Sequence, residues 1–227
     1  MNVLTNKERT EKDMNLSFLA IRKSVGVLGI ALPIVLALGT LIVSACPHFI
    51  KESISSYYYT LVGNLLTGIL SAVALFLFTY KGYNKADRIS AIIAGTGALA
   101  TAVFPTNSDN TTNFCEVIAK PRSSISNTVH FLGAAVFFVT LAYMSIFLFT
   151  KSNKKKADIR KPKRNRNRVY ITMGIIMLVA LIGIVLLRIP AVESTIGAYQ
   201  PEFWFETIAL WAFGFSWLIK GETILKD

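Results

Sequence analysis

The feature that most constrains this chain is a set of long apolar runs with almost no charge in them. Six stretches stand out, at about 24–46, 58–80, 89–104, 127–150, 169–189 and 203–219. A run of roughly 18 or more such residues is long enough, as a helix, to cross a hydrocarbon core of about 30 Å. A soluble fold of 227 residues would instead interleave its apolar residues with polar ones at a helix or strand period. The expected fold class is therefore all-α, a polytopic six-transmembrane-helix bundle. Composition agrees: charged residues make up 16% of the chain, against about 25% in soluble domains.

Prolines mark the joints. Pro33 lies inside the first run and predicts a kink, which a membrane bundle tolerates when neighbours satisfy the freed carbonyl. Pro47, Pro105 and Pro190 are expected to stop the first, third and fifth helices, and the sixth is expected to begin after Pro201. Ser126 or Asn127 is the expected N-cap of the fourth. Val43-Ser44-Ala45-Cys46 has the look of a lipidation box. The apolar stretch before it exceeds the roughly 7–15 residues of a signal-peptide core, so a plain helix end is expected there.

The net charge of +11 is explained by orientation rather than by nucleic acid. With the N-terminus inside, 20 of the 24 lysines and arginines fall in cytoplasmic segments. These are the N-terminal segment 1–23, the turn around Lys81, Lys85 and Arg88, the basic segment 151–168, and the tail with Lys220 and Lys226. Only Lys51, Lys120, Arg122 and Arg188 fall outside. Such a bias sets an N-in, C-in topology. Tyr57, Tyr58, Tyr59, Phe203 and Trp204 then form an outer aromatic belt, and Tyr80, Tyr170 and Trp217 an inner one. The expected location is a bacterial plasma membrane. The basic segment, KSNKKKADIRKPKRNRNR, is expected to lie on anionic lipid headgroups, each cation contributing about 1 kcal/mol. It has no interleaved aromatic residue for base stacking, so no nucleic-acid partner is expected.

Packing has its own signal. Ala91, Gly95, Ala98 and Ala102 share one face of the third run, which predicts close backbone contacts and a place at the centre of the bundle.

The candidate functional residues gather at the outer side. Tyr57, Asn64, Thr67, Gly68 and Ser71 form a polar stripe that should face protein or water. Glu206 is the carboxylate within an apolar run, near its outer end; such residues face a cavity or a partner. Pairing with Arg188 or Arg122, or favouring the helix N-terminus as an anion, would explain it equally well. His130 lies one turn into the fourth run, and Asp109 follows the third. With His48 they carry no metal-ligand spacing, so no metal and no cofactor are expected. Cys46 and Cys115 fall on the outer side, either as a disulfide or as two free thiols.

Several of these residues carry a resemblance. ESISSYYYT after the first run, FPT ending the third, VHFLGA opening the fourth and FWFETIALWAFGFSWLIKG as the sixth resemble a group of uncharacterised bacterial six-helix membrane proteins. Their order is similar to that in the DRAM/Frag/Sfk-type six-transmembrane family, with Ile54, Ser55 and His130 at matching positions. That family's PPE element is absent, and Tyr57–Leu61 stand in its place. The resemblance implies a role in membrane lipid organisation or signalling. A fainter similarity is to membrane ceramidase-like hydrolases, although the histidine pair of their last helix is missing.

The resulting expectation is a non-enzymatic, lipid-interacting membrane protein with an outer ligand-binding pocket of Ser55, Tyr57, Asn64, Asp109, His130 and Glu206. One alternative is a membrane-embedded hydrolase using His130 with Asp109 or Glu206. Another is a small proton-coupled transporter using Glu206.

Overall fold

A computed structural model describes residues 6–44, 48–82, 84–107, 123–151 and 161–223. Among these the chain is all-helical. Helix α1 spans Asn6–Ser44, α2 Gly63–Thr79, α3 Lys85–Val103, α4 Ser124–Tyr143, α5 Lys161–Leu186, α6 Pro190–Ile196 and α7 Pro201–Lys220. Short 3-10 turns precede α2, at Ser55–Tyr59, and α7, at Gly197–Tyr199. Three helical segments, Ser17–Val43, Ser124–Leu148 and Pro162–Leu186, are long and apolar enough to cross a membrane, and Gly63–Thr79 is apolar but shorter.

The six longer helices close a ring in which α1 packs on α2, α2 on α3, α3 on α4, α4 on α5, α5 on α7, and α7 back on α1. The inner faces carry the core, with Leu32, Leu36, Leu77, Ala94, Ala98, Phe137, Leu141, Met177, Phe213 and Trp217 buried. The outer faces are also apolar: Ile42 is 77% exposed, Val185 68% and Leu75 62%. A water-soluble surface does not carry apolar residues at this density.

Two glycine crossings set the closest approaches. A Cβ on Gly97 of α3 would stand 2.7 Å from the Gly133 carbonyl of α4, and one on Gly214 of α7 would stand 2.7 Å from the Gly26 carbonyl of α1. Backbones that approach this closely admit no side chain, as in other membrane-type helix contacts. Helix α3 is a stave of the ring rather than its centre. Its Ala91, Ala94, Gly95, Ala98 and Ala102 face inward while Ile89, Ile92, Leu99 and Val103 face out.

Several boundaries differ from those the sequence predicts. Helix α1 starts well before residue 24, because the polar segment ahead of the apolar run has good helix formers and no breaker. The stretch from Tyr58 to Val62 is not α-helix: the chain folds tightly over itself there, and a Cβ on Gly63 would lie 2.5 Å from the Tyr58 carbonyl. Helix α3 begins earlier, on a capping box in which Asn84 Oδ1 accepts from the Asp87 amide at 3.1 Å and Asp87 Oδ2 from the Asn84 amide at 3.1 Å. The N-cap of α4 is Ser123, whose Oγ accepts from the Ser126 amide at 3.2 Å. Helix α4 ends in a π-turn, Met144–Leu148, which aims Ser145 into the bundle. There it donates to the Tyr170 carbonyl at 2.7 Å and shares a 2.6 Å hydrogen bond with Ser216. Pro190 does not merely stop α5; it opens α6, where a missing N–H costs nothing. In the basic segment, residues 161–168 belong to the first turns of α5.

Candidate functional site

At one end of the ring, residues 48–62 fold across the mouth between α1 and α2. Their polar groups are tied down one by one. Ser53 Oγ accepts from the Ser56 amide at 3.1 Å, and Thr60 Oγ1 donates to the Tyr57 carbonyl at 2.7 Å. Tyr57 is fully buried; its hydroxyl donates to the Phe49 carbonyl at 2.6 Å and accepts from the Lys51 amide at 3.3 Å. Burial pushes this phenol up to about 12, with the Lys51 amide opposing the shift. Tyr59 donates its hydroxyl hydrogen to the Thr106 carbonyl. Asn127 Oδ1 accepts from Thr106 Oγ1 at 3.0 Å and from the Asn107 amide at 2.9 Å, so the end of α3 is stitched to the start of α4.

Ser55 opens the 3-10 turn and faces His130, on the second turn of α4, with Oγ and Nε2 2.7 Å apart. The other ring nitrogen, Nδ1, lies 2.7 Å from the Phe104 carbonyl at the end of α3. A carbonyl only accepts, so Nδ1 carries the hydrogen. In the neutral ring Nε2 is then the acceptor and the Ser55 hydroxyl donates to it.

Glu206, on the second turn of α7, reaches the same turn from the opposite side. The Ile54 amide donates to its Oε2. The N-terminal end of α7 is tied to the same loop by the Phe203 amide, which donates to the Glu52 carbonyl at 3.0 Å. Arg188 does not neutralise Glu206 directly; it pairs with Glu202 at 2.7 Å and lies over the Phe131 ring at 5.0 Å.

Beneath these three side chains lies a cavity of about 40 Å³, lined by Leu32, Leu66, Leu70, Phe137, Phe138 and Leu210 among others, with Thr101, Ser55, His130 and Glu206 as its polar groups. At roughly 10–15 Å³ per water, it has room for about three or four waters or one small polar group.

Of the residues singled out from sequence, Ser55, His130 and Glu206 come together. Tyr57 is next to them in the chain but bonds away from the cavity. Asn64 and Gly68 are exposed on α2, and Thr67 donates to its own helix at the Gly63 carbonyl, 3.0 Å away. The reason is that Leu66, Leu70, Val73, Ala74 and Leu77 take the inward face of α2. His48 is exposed and does not line the cavity. Asp109, Cys46 and Cys115 lie outside the described residues. The sequence did not reveal the Phe104 carbonyl or the Ile54 amide, since backbone groups leave no signature in residue type.

The chain belongs to the family described as a protein of unknown function, DUF998, whose model matches residues 55–218. The match takes in Ser55, His130 and Glu206, and it carries no link to the DRAM/Frag/Sfk-type family. No curated protein and no solved structure matches the chain.

Proposed function

We propose that this protein is a six-span membrane protein that binds a lipid polar group at the Ser55–His130–Glu206 cluster and does not convert it. The spans are α1, α2, α3, α4, α5 and α7, with both termini in the cytoplasm of a bacterial cell and the cluster at the outer end. The basic-residue bias supports that orientation. The apolar outer faces of the ring support insertion.

The observation that carries the reading is what the Ser55 end lacks for catalysis. A serine bonded to a correctly oriented histidine is half of an acyl-transfer site. The other half is a pair of backbone donors for the oxyanion. Here the Ile54 amide, beside Ser55, is already taken by the Glu206 carboxyl group. Loss of a single oxyanion donor costs about 100- to 1,000-fold in rate, and the occupied Ile54 amide supports holding over reacting. The cavity fits a hydroxyl or ester group, and its apolar walls suit the chain that follows.

The serine–histidine geometry itself favours a second reading, a membrane-embedded hydrolase with Ser55 as nucleophile and His130 as base. Native mass spectrometry of the detergent-purified protein, with a parallel assay for released fatty acid or headgroup, separates the two. Binding predicts a defined lipid on the wild type, less of it on S55A and H130A, and no Ser55-dependent product. Product that disappears in S55A would replace binding with hydrolysis. Loss of proton-coupled flux in a folded E206Q variant would replace it with transport.

A further inference from the structure

The polar side chains that line the cavity are Ser55, Thr101, His130 and Glu206. Their hydrogens are already engaged. His130 Nδ1 gives its hydrogen to the Phe104 carbonyl at 2.7 Å, and the Ser55 hydroxyl gives its own to His130 Nε2 at 2.7 Å. Thr101 Oγ1 donates to the Gly97 carbonyl of its own helix at 2.9 Å. Glu206, as a carboxylate, has no hydrogen to give, and it accepts from the Ile54 amide.

What remains is acceptor capacity. A hydroxyl that donates keeps two lone pairs, and a carboxylate offers about four acceptor sites, so one amide does not exhaust it. Ser55, Thr101 and Glu206 bring these acceptors from three elements: the 3-10 turn before α2, α3 and α7. The rest of the wall is apolar, with Leu32, Leu66, Leu70, Phe137 and Leu210. Of the charged groups near Glu206, Arg188 and Glu202 pair with each other at 2.7 Å.

Such a lining selects a guest rich in donors. An ester has no hydrogen to offer, a hydroxyl has one, and a primary ammonium has three. The ammonium charge is opposite to that of Glu206, and the attraction is stronger beside apolar walls than in water. Its remaining hydrogens find Ser55 and Thr101, which is the condition for a buried ion pair to be favourable. Size agrees. A cavity of about 40 Å³ holds three or four atoms of water size, enough for the nitrogen and two carbons of an aminoethyl end. A trimethylammonium group is larger and carries no N–H. A calcium ion takes roughly six to eight oxygens, more than these three side chains supply.

We infer that the Ser55–Thr101–Glu206 cavity recognises a primary ammonium group, carried by an aminoethyl lipid headgroup or by a free small amine. His130 is a positioning residue: by holding the Ser55 hydrogen it keeps Ser55 Oγ an acceptor. The headgroup form rests on the lipid-binding reading above; the ammonium chemistry does not.

The test uses the full chain in phosphatidylcholine nanodiscs, read by thermal shift and native mass spectrometry. Part of the lipid is replaced in turn by phosphatidylethanolamine, its N,N-dimethyl form, or phosphatidylglycerol. Ethylamine, ethanol and sodium chloride are added separately to unsubstituted discs. Stabilisation and lipid retention that fall with N-methylation identify a headgroup amine. Stabilisation by ethylamine with no lipid retained identifies a free amine; the ammonium site then stands and the lipid reading falls. Retention of phosphatidylglycerol or phosphatidylcholine equal to that of phosphatidylethanolamine overturns the ammonium site and leaves lipid binding standing. A response to ethanol or sodium chloride equal to that for ethylamine overturns it too. Silence toward every lipid and amine overturns both.

E206Q should weaken amine binding tenfold or more, and T101V about tenfold, as hydrogen bonds to a charged group predict. T101V deletes one hydroxyl and keeps the test open should E206Q fail to fold. Thr67 bonds its own helix in the same way, at the Gly63 carbonyl, but does not line the cavity, so T67V should leave binding unchanged. Unaltered binding in a folded E206Q, or a loss in T67V equal to that in T101V, would overturn the inference.

Discussion

Replacing His130 by Phe keeps most of the ring volume and removes both nitrogens. Two groups are then left unanswered in a buried place: the Ser55 hydroxyl and the Phe104 carbonyl, each of which lost a 2.7 Å partner. An orphaned buried polar group costs about 1–3 kcal/mol, so H130F should lose roughly 2–4 kcal/mol. S55A alone orphans only His130 Nε2 and should cost about 1–2 kcal/mol. In the double variant the Ser55 hydroxyl is no longer present to be orphaned. H130F/S55A, with only the Phe104 carbonyl orphaned, should therefore be about 1–2 kcal/mol more stable than H130F, giving a coupling near 2–4 kcal/mol. The assay is equilibrium unfolding in mixed micelles with rising dodecyl sulfate fraction, with S55A/G68A as a distant control pair. Additivity of S55A and H130F to within about 0.5 kcal/mol would refute the direct Ser55–His130 bond.

Other expectations follow from the same contacts. G97A places a Cβ 2.7 Å from the Gly133 carbonyl and 2.8 Å from the Phe137 nitrogen, both backbone, and should cost about 1–3 kcal/mol in the same assay. G68A meets nothing within 4 Å and should be neutral or gain up to about 1 kcal/mol from helix propensity. Y57F removes the hydroxyl between Phe49 and Lys51 and should cost about 1–2 kcal/mol. Because burial raises that phenol from 10.0 to about 12, its contribution is whole below pH 10 and is lost as the pH rises toward 12. The wild type should lose stability across that interval more steeply than Y57F. S216A takes away a buried 2.6 Å partner of Ser145, which keeps its bond to the Tyr170 carbonyl, and should cost under about 1.5 kcal/mol by thermal shift.

The helices themselves were legible because apolar runs and prolines are strong, local signals. Their ends were less so. A tyrosine run after the first helix has the hydropathy of a helix, yet it folds as a 3-10 turn because the mouth must be crossed and Gly63 permits the tight contact with Tyr58. On α2, spacing shows that Asn64, Thr67 and Gly68 share a face, and Asn64 and Gly68 are exposed there rather than turned to the cavity. The site was half visible. His130 and Glu206 are conspicuous as ionisable groups inside apolar runs, but Ser55 is one serine among several, and its partner lies 75 positions away.

The account rests on a bundle that lies in a bilayer with the Ser55–His130 end outward. Cysteines introduced at Ser124, exposed at the start of α4, and at Lys151, exposed after its end, in a background lacking Cys46 and Cys115, test this with a membrane-impermeant thiol reagent on intact cells. Position 124 should be modified and position 151 protected until the membrane is opened. The reverse pattern, or equal modification of both in sealed cells, would contradict the account.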